Sequence, residues 1–146
     1  MKTISKWLIP ALLLLTAGLN ACGNTPKELT GAEKDAVLAW SEPLSDNLLN
    51  GFQSGDYATF SANMSDKMKQ ALTEDNFKST RASLATALGQ YQGRTVKGVL
   101  EQQGVGITVV YTGQFEKDPE ATITVSFESG EPHTIIGFWI NSKLLK

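Results

Sequence analysis

Cysteine and histidine are the scarcest informative residues of this chain. One cysteine in 146 residues excludes an intrachain disulfide framework and any cysteine-rich zinc site. One histidine excludes the His-Glu-x-x-His pair and every multi-histidine metal centre. There is no Gly-x-Ser-x-Gly elbow to expose a nucleophilic serine. Thirteen basic residues against 15 acidic ones leave a net charge of −2, which excludes a generally basic nucleic-acid-binding surface. The apolar run 7–19 is too short for a permanent membrane span. At about 1.5 Å per residue, such a helix falls well short of a hydrocarbon core roughly 30 Å thick. What is present is ordinary for a globular domain: 41% hydrophobic and 19% charged residues.

The N-terminus has the layout of an export signal. Lys2 and Lys6 supply the cations, residues 7–19 the apolar stretch, and Leu19-Asn20-Ala21-Cys22 the end. This last tetrad resembles the lipobox of bacterial lipoproteins. The resemblance implies diacylglycerol on the Cys22 thiol, cleavage before Cys22 and acylation of the new amine. The only thiol of the chain stands where that motif requires it. Two or more acyl chains make an anchor stable where one does not. Gly23, not Asp, follows the cysteine. In a cell with two membranes this resembles cargo for the outer membrane, facing the periplasm. The expected organisation is a signal peptide at 1–21, a lipidated tether at 22–29 and one domain at 30–146.

Helix signals come first. Thr30 and Glu33 are spaced as a capping box. Val37, Trp40, Leu44, Leu48 and Phe52 then mark one apolar stripe at spacings of three and four. Pro43 predicts a kink, or a restart capped by Ser41. Gly55 ends this helix, and Asp56, Ser65 and Thr73 cap three more. Phe77, Leu84 and Leu88 are the expected buried face of the last, with Gly89 just past its end.

From residue 90 onward the period becomes two. Ile107, Val109, Tyr111 and Phe115 alternate with polar residues, as do Ala121, Ile123, Val125 and Phe127. Residues 91–100 form a weaker strand with a bulge at Gly98, and 133–145 a fourth strand. Short Gly- and Pro-containing breaks predict an antiparallel meander. Helices followed by strands indicate an α+β class, with N-terminal helices packed on a curved four-stranded antiparallel sheet.

This order of elements resembles the nuclear transport factor 2-like, cystatin-like cone fold. More narrowly, residues 33–142 resemble the domain of unknown function 3887. The resemblance rests on Gly55-Asp56-Tyr57, Met68-Lys69, Leu88-Gly89 and the Gly137-x-x-Ile140 pattern. It implies a cone-shaped domain found alone on lipoproteins or ahead of hydrolase domains. It transfers no catalytic residue and no cofactor.

Chemical motifs are few. His133 beside Pro132 reads as a solvated turn residue, and Asp56 as a helix cap. Either one, joined by a tyrosine, would be needed by an isomerase or dehydratase of cone fold. Glu116, Asp118 and Glu120 read as a solvated hairpin tip instead of a cation site. Gly104-Val105-Gly106 reads as a hairpin and not as a dinucleotide loop. No metal is expected. The ligand-binding candidates are Tyr57, Phe60, Met64, Met68, Tyr91 and Tyr111, either lining the open end of a cone or filling its core. On the last strand, alternation sends Ile136, Phe138 and Ile140 inward and Ile135 and Trp139 outward. With Val110 the latter two make an interface candidate for a homodimer or an envelope partner. The reading is a non-catalytic envelope domain, lipid-anchored to the membrane, that binds a small apolar ligand or a protein partner. A small cone-fold enzyme and an immunity or inhibitor lipoprotein are the alternatives.

Overall fold

The computed structural model describes residues 25–145. The expected leader, 1–21, and the expected lipid-attachment residue Cys22 therefore lie outside the described residues. The elements run β1 (Lys27–Glu28), α1 (Gly31–Ser54), α2 (Tyr57–Ser61), α3 (Asp66–Ala71), α4 (Glu74–Leu88), β2 (Tyr91–Gln102), β3 (Gly106–Phe115), β4 (Ala121–Glu128) and β5 (Ile135–Asn141). Among the described residues, no helix is long and apolar enough to cross a membrane.

Local chemistry sets the helix ends. Asp56, Ser65 and Thr73 each accept a bond from a backbone N–H in the first turn of α2, α3 and α4. Gly55 closes α1 in the left-handed region at φ 77°, which a residue with a Cβ adopts only at a cost. Thr30 starts α1 as expected, but the capping box does not form. The Thr30 side chain makes no cap bond, and Glu33 pairs with Lys27 Nζ at 2.9 Å. A lysine on β1 takes the carboxylate that the helix start would have used. Helix α1 also runs unbroken through Pro43, whose ring is exposed to solvent. Ser41 is fully buried and caps nothing. The proline removes one backbone bond, while packing holds the helix on both sides of it.

The sheet is an antiparallel meander in the order β1-β2-β3-β4-β5. It has five strands and not four, because β1 adds itself to β2 through Lys27↔Glu101 and Glu28↔Leu100. Leu29 continues this contact: its N–H donates to Val99 O at 2.8 Å, and its side chain is only 5% exposed. Residues 27–29 thus belong to the folded domain instead of a free tether. Strand β2 bulges between Tyr91 and Gly93 and between Val96 and Gly98.

A further bulge corrects the phase of β5. Ser126 pairs with Gly137, but Phe127 pairs with Ile135, so Ile136 is the extra residue. A bulge shifts the side-chain alternation by one position. Ile135 therefore faces the core with Phe127 and is fully buried, not outward as unbroken alternation requires. Beyond the bulge, Phe138 and Ile140 oppose inward-facing Val125 and Ile123, and Trp139 opposes outward-facing Thr124.

Helices and sheet share one core. Val99, Val109, Tyr111, Ile123, Val125 and Phe127 on the sheet are fully buried, alongside Leu48, Leu49, Phe60, Phe77 and Leu88 from the helices. Burying each such aliphatic or Phe side chain is worth about 1.5–3 kcal/mol. Gly51 brings α1 and α2 together: a Cβ there would lie 2.2 Å from the Phe60 backbone nitrogen. Arg81 ties α4 to the C-terminal end of α1, donating to Phe52 O at 2.7 Å and Gln53 O at 2.6 Å. These carbonyls belong to the last turn, where helix geometry leaves acceptors unpaired.

Candidate functional site

Aromatic side chains from three helices meet those of β5. Phe60 on α2 lies 4.5 Å from Phe77 on α4 and 5.7 Å from Phe138 on β5, centroid to centroid. Phe52, near the end of α1, lies 6.0 Å from Phe138. Between them is a cavity of about 240 Å³. Phe52, Phe60, Phe77 and Phe138 form its aromatic wall, and Leu72, Leu84 and Ile140 its aliphatic part. Among the described lining residues, Thr80 and Trp139 alone carry a polar side-chain atom, and the Trp139 indole turns to the outer face of the sheet over Gly137. Among the described residues, no titratable side chain lines it. Such a space accepts apolar matter and offers no proton donor or acceptor of shifted pKa.

The ionisable chemistry lies elsewhere, between α1 and β2. Arg94 faces inward from β2 and is nearly buried. Its Nη1 reaches Asp46 Oδ1 at 2.7 Å and its Nη2 reaches Glu42 Oε2 at 3.2 Å. Its guanidinium lies 4.7 Å from the centre of the Tyr111 ring. The Tyr111 hydroxyl donates to Glu42 Oε1 at 2.7 Å and lies 2.9 Å from Ser45 Oγ. Burial works against the Arg94 charge, but the hydrogen bond to Asp46 and the charge of Glu42 outweigh it and raise its pKa. Burial, with help from Glu42, pushes the Tyr111 phenol upward. Both groups keep their protons at neutral pH, and the carboxylates are already paired. This cluster is a clamp between helix and sheet.

The six ligand candidates divide among four places instead of lining one space. Phe60 lines the apolar cavity. Tyr57 backs it, 5.6 Å from Phe77, with its hydroxyl donating to Leu72 O at 2.8 Å. Met64 is buried and Met68 half-buried, and both border an open depression beside α3. Tyr91 packs on Phe115 at 5.5 Å, and burial raises its pKa. Tyr111 is consumed by the clamp. The division arises because the residues sit on elements that α1 keeps apart: its Ser45 turn meets Tyr111 while its Phe52 turn meets Phe60.

The candidate acid–base residues do not converge. Asp56 accepts from Ala58 N at 3.0 Å and Thr59 Oγ1 at 2.6 Å, which lower its pKa. His133 is half-buried and not solvated as its turn position suggests. Its ring stacks on Trp40 at 3.9 Å, and Trp40 meets Phe127 edge-on at 5.1 Å. Glu116, Asp118 and Glu120 do not gather around a point. Glu116 accepts from Gln90 N at 2.9 Å, and Asp118 accepts from Glu120 N and from the Ser142 hydroxyl. Among the described residues, no group of three potential ligands is placed to hold a metal ion.

The interface candidates also separate. Trp139 is 58% exposed and lies over Gly137, where a Cβ would fall 2.3 Å from its ring. Val110 is half-buried, and Ile135 leaves the set altogether. Arg94, Glu42, Asp46 and Arg81 were not foreseen from the sequence. The available signal was a pair of carboxylates four apart on α1 and a cation at an inward position of β2. Neither becomes meaningful until helix and strand are placed together.

No curated protein and no solved structure matches this chain. The model of the family described as Protein of unknown function (DUF3887) matches residues 45–138, from the middle of α1 to Phe138, and so takes in most of the cavity's lining. The chain belongs to that family.

Proposed function

We propose that this protein is a lipid-anchored, non-catalytic module of the bacterial envelope that takes a small apolar group into the cavity between α4 and β5. The observation that carries this reading is the division of chemistry described above. The described cavity lining is apolar and untitratable, while Arg94, Glu42 and Asp46 are spent on the clamp between α1 and β2. A volume of about 240 Å³ is below the usual range for drug-sized ligands, roughly 300–1,000 Å³. It exceeds the ~150 Å³ of an engineered apolar cavity that binds benzene. One aromatic ring or a short branched alkyl chain fits.

The anchor belongs to the same reading. Cys22 carries the lipid, Gly23 directs the chain to the outer membrane where there is one, and the cone-like domain stands on its non-cytoplasmic side. The resemblance to nuclear transport factor 2-like cones supports a pocket between helices and sheet. Replacement of Cys22 by serine is expected to abolish fatty-acid labelling and membrane association.

The cavity is tested by titrating the full chain, in detergent, with toluene and reading methyl resonances by NMR. Saturable shifts at Leu72, Leu84 and Ile140 are expected, together with their loss in Thr80→Phe, which fills the space. Absence of saturable shifts, or shifts that Thr80→Phe leaves in place, would refute the reading.

A further inference from the structure

Strand β5 is the last of the sheet, and among the described residues its outer side is closed only at its first residue. There Ile135 N donates to Asn63 O at 2.8 Å, and Ile135 O accepts from Ser65 N at 2.9 Å. The residue therefore directs both backbone groups away from β4. In an antiparallel ladder such outward residues alternate with those bonded to the neighbouring strand. Across the bulge, the ladder phase is fixed independently from the other edge. Leu29 N bonds to Val99 O, so Val99 points away from β3. Following the register through Val109 and Val125 makes Phe138 an outward residue, and Ile140 with it. Among the described residues nothing pairs with the outward backbone groups of these two.

We propose that this edge is the contact between two copies of the chain, β5 pairing antiparallel with β5 about a twofold axis at Trp139. The hydrogen-bond pattern is self-complementary. Only an axis at Trp139 sets both free outward residues opposite outward residues, Phe138 against Ile140 in each direction, giving about four hydrogen bonds. The strand Ile-Ile-Gly-Phe-Trp-Ile-Asn has no charge to repel its copy. It lacks the lysine, proline or inward charge with which edge strands commonly resist pairing. The same axis places two Trp139 side chains opposite each other on the outer face at a non-hydrogen-bonded site. That gives the exposed indole a partner of its own kind. The Asn63–Ser65 segment stops the pairing at one end, so register cannot slide past Ile135. The inference goes beyond the cavity reading and does not depend on it.

Disulfide trapping tests both the contact and its register. Opposed residues at a non-hydrogen-bonded site have Cα atoms about 4.5 Å apart, within the roughly 4.4–6.8 Å that a disulfide spans. Trp139→Cys in the full chain, in the membranes of cells expressing it, is expected to give a covalent dimer under mild oxidation. Asn141→Cys falls opposite Gly137, so two such cysteines lie about 13 Å apart along the strands and should trap at least tenfold less. The parent chain, with Cys22 as its single thiol, sets the background. In detergent, Trp139→Lys should shift the sedimenting species from dimer to monomer with an unchanged circular dichroism spectrum. Three results overturn the proposal: equal trapping at 139 and 141, trapping to a different protein only, or a dimer that survives Trp139→Lys.

Discussion

The two edges of the sheet are built on opposite plans. At one edge β2 carries Arg94, Lys97 and Glu101, bulges twice and is covered at Val99, Leu100 and Glu101 by β1 and Leu29. Inside that edge, Arg94 is clamped to α1 through Asp46 and Glu42. At the other edge β5 carries no charge, shows Trp139 to solvent and, among the described residues, is covered only at Ile135. The apolar cavity also lies on the β5 side. A sheet edge is a template for pairing, and proteins commonly close it with charge, bulges or cover. Here one edge has all three devices, while the other has a bulge at Ile136 and cover at Ile135 but leaves Phe138 and Ile140 open. The difference assigns stability to the β2 side and leaves the β5 side to the recognition proposed above.

Substitutions can break this division. The largest expected effect is on the core that both sides share. Phe60→Ala removes a ring in contact with Phe52, Phe77 and Phe138, and should cost about 3–5 kcal/mol in urea unfolding. At the closed edge Leu29→Ala should cost about 2–3 kcal/mol, because the side chain is buried against the sheet. A free tether residue would cost almost nothing. Arg94→Ala should cost about 2 kcal/mol. It leaves Glu42 and Asp46 without their cation and takes the guanidinium off the Tyr111 ring, although the partial exposure of both carboxylates limits the loss.

The clamp and the edge phase also mark what a linear reading reaches. Caps at Asp56, Ser65 and Thr73 are written within four residues of their targets, and all three form. The stripe of α4 and the alternation of β3 and β4 were legible for the same reason. The clamp was not, since Arg94 and Glu42 are 52 residues apart and Tyr111 and Glu42 are 69. Strand β1 has two residues, too few to show any period. The bulge at Ile136 leaves no local mark, yet it reverses the fate of Ile135. The cavity needed four separate elements, although its phenylalanines were each visible as core. Six candidates chosen by residue type therefore yielded one, Phe60, in the cavity wall.

A smaller effect is expected with acid. Asp118 accepts from Ser142, and this bond with the Glu120 N–H lowers its pKa below the usual aspartate value. A carboxyl depressed in the folded state adds stability above its unfolded pKa of about 3.9 and loses it as pH falls through the folded value. Ser142→Ala should move the Asp118 carboxyl titration upward in NMR and flatten stability against pH below about 4. The smallest change in stability belongs to the open edge. Trp139→Ser should cost under about 0.5 kcal/mol in the monomer, since the ring is mostly exposed, while it weakens self-association.

Amide hydrogen exchange of the full chain, resolved by NMR at several protein concentrations, tests the asymmetry of the edges most directly. The Leu29 amide, bonded to Val99, should exchange slowly at every concentration. The Phe138 and Ile140 amides should exchange fast in dilute solution and slow together as concentration rises. Slow exchange of Phe138 and Ile140 at the lowest concentration, or fast exchange that concentration does not alter, would contradict an edge left open for a second copy.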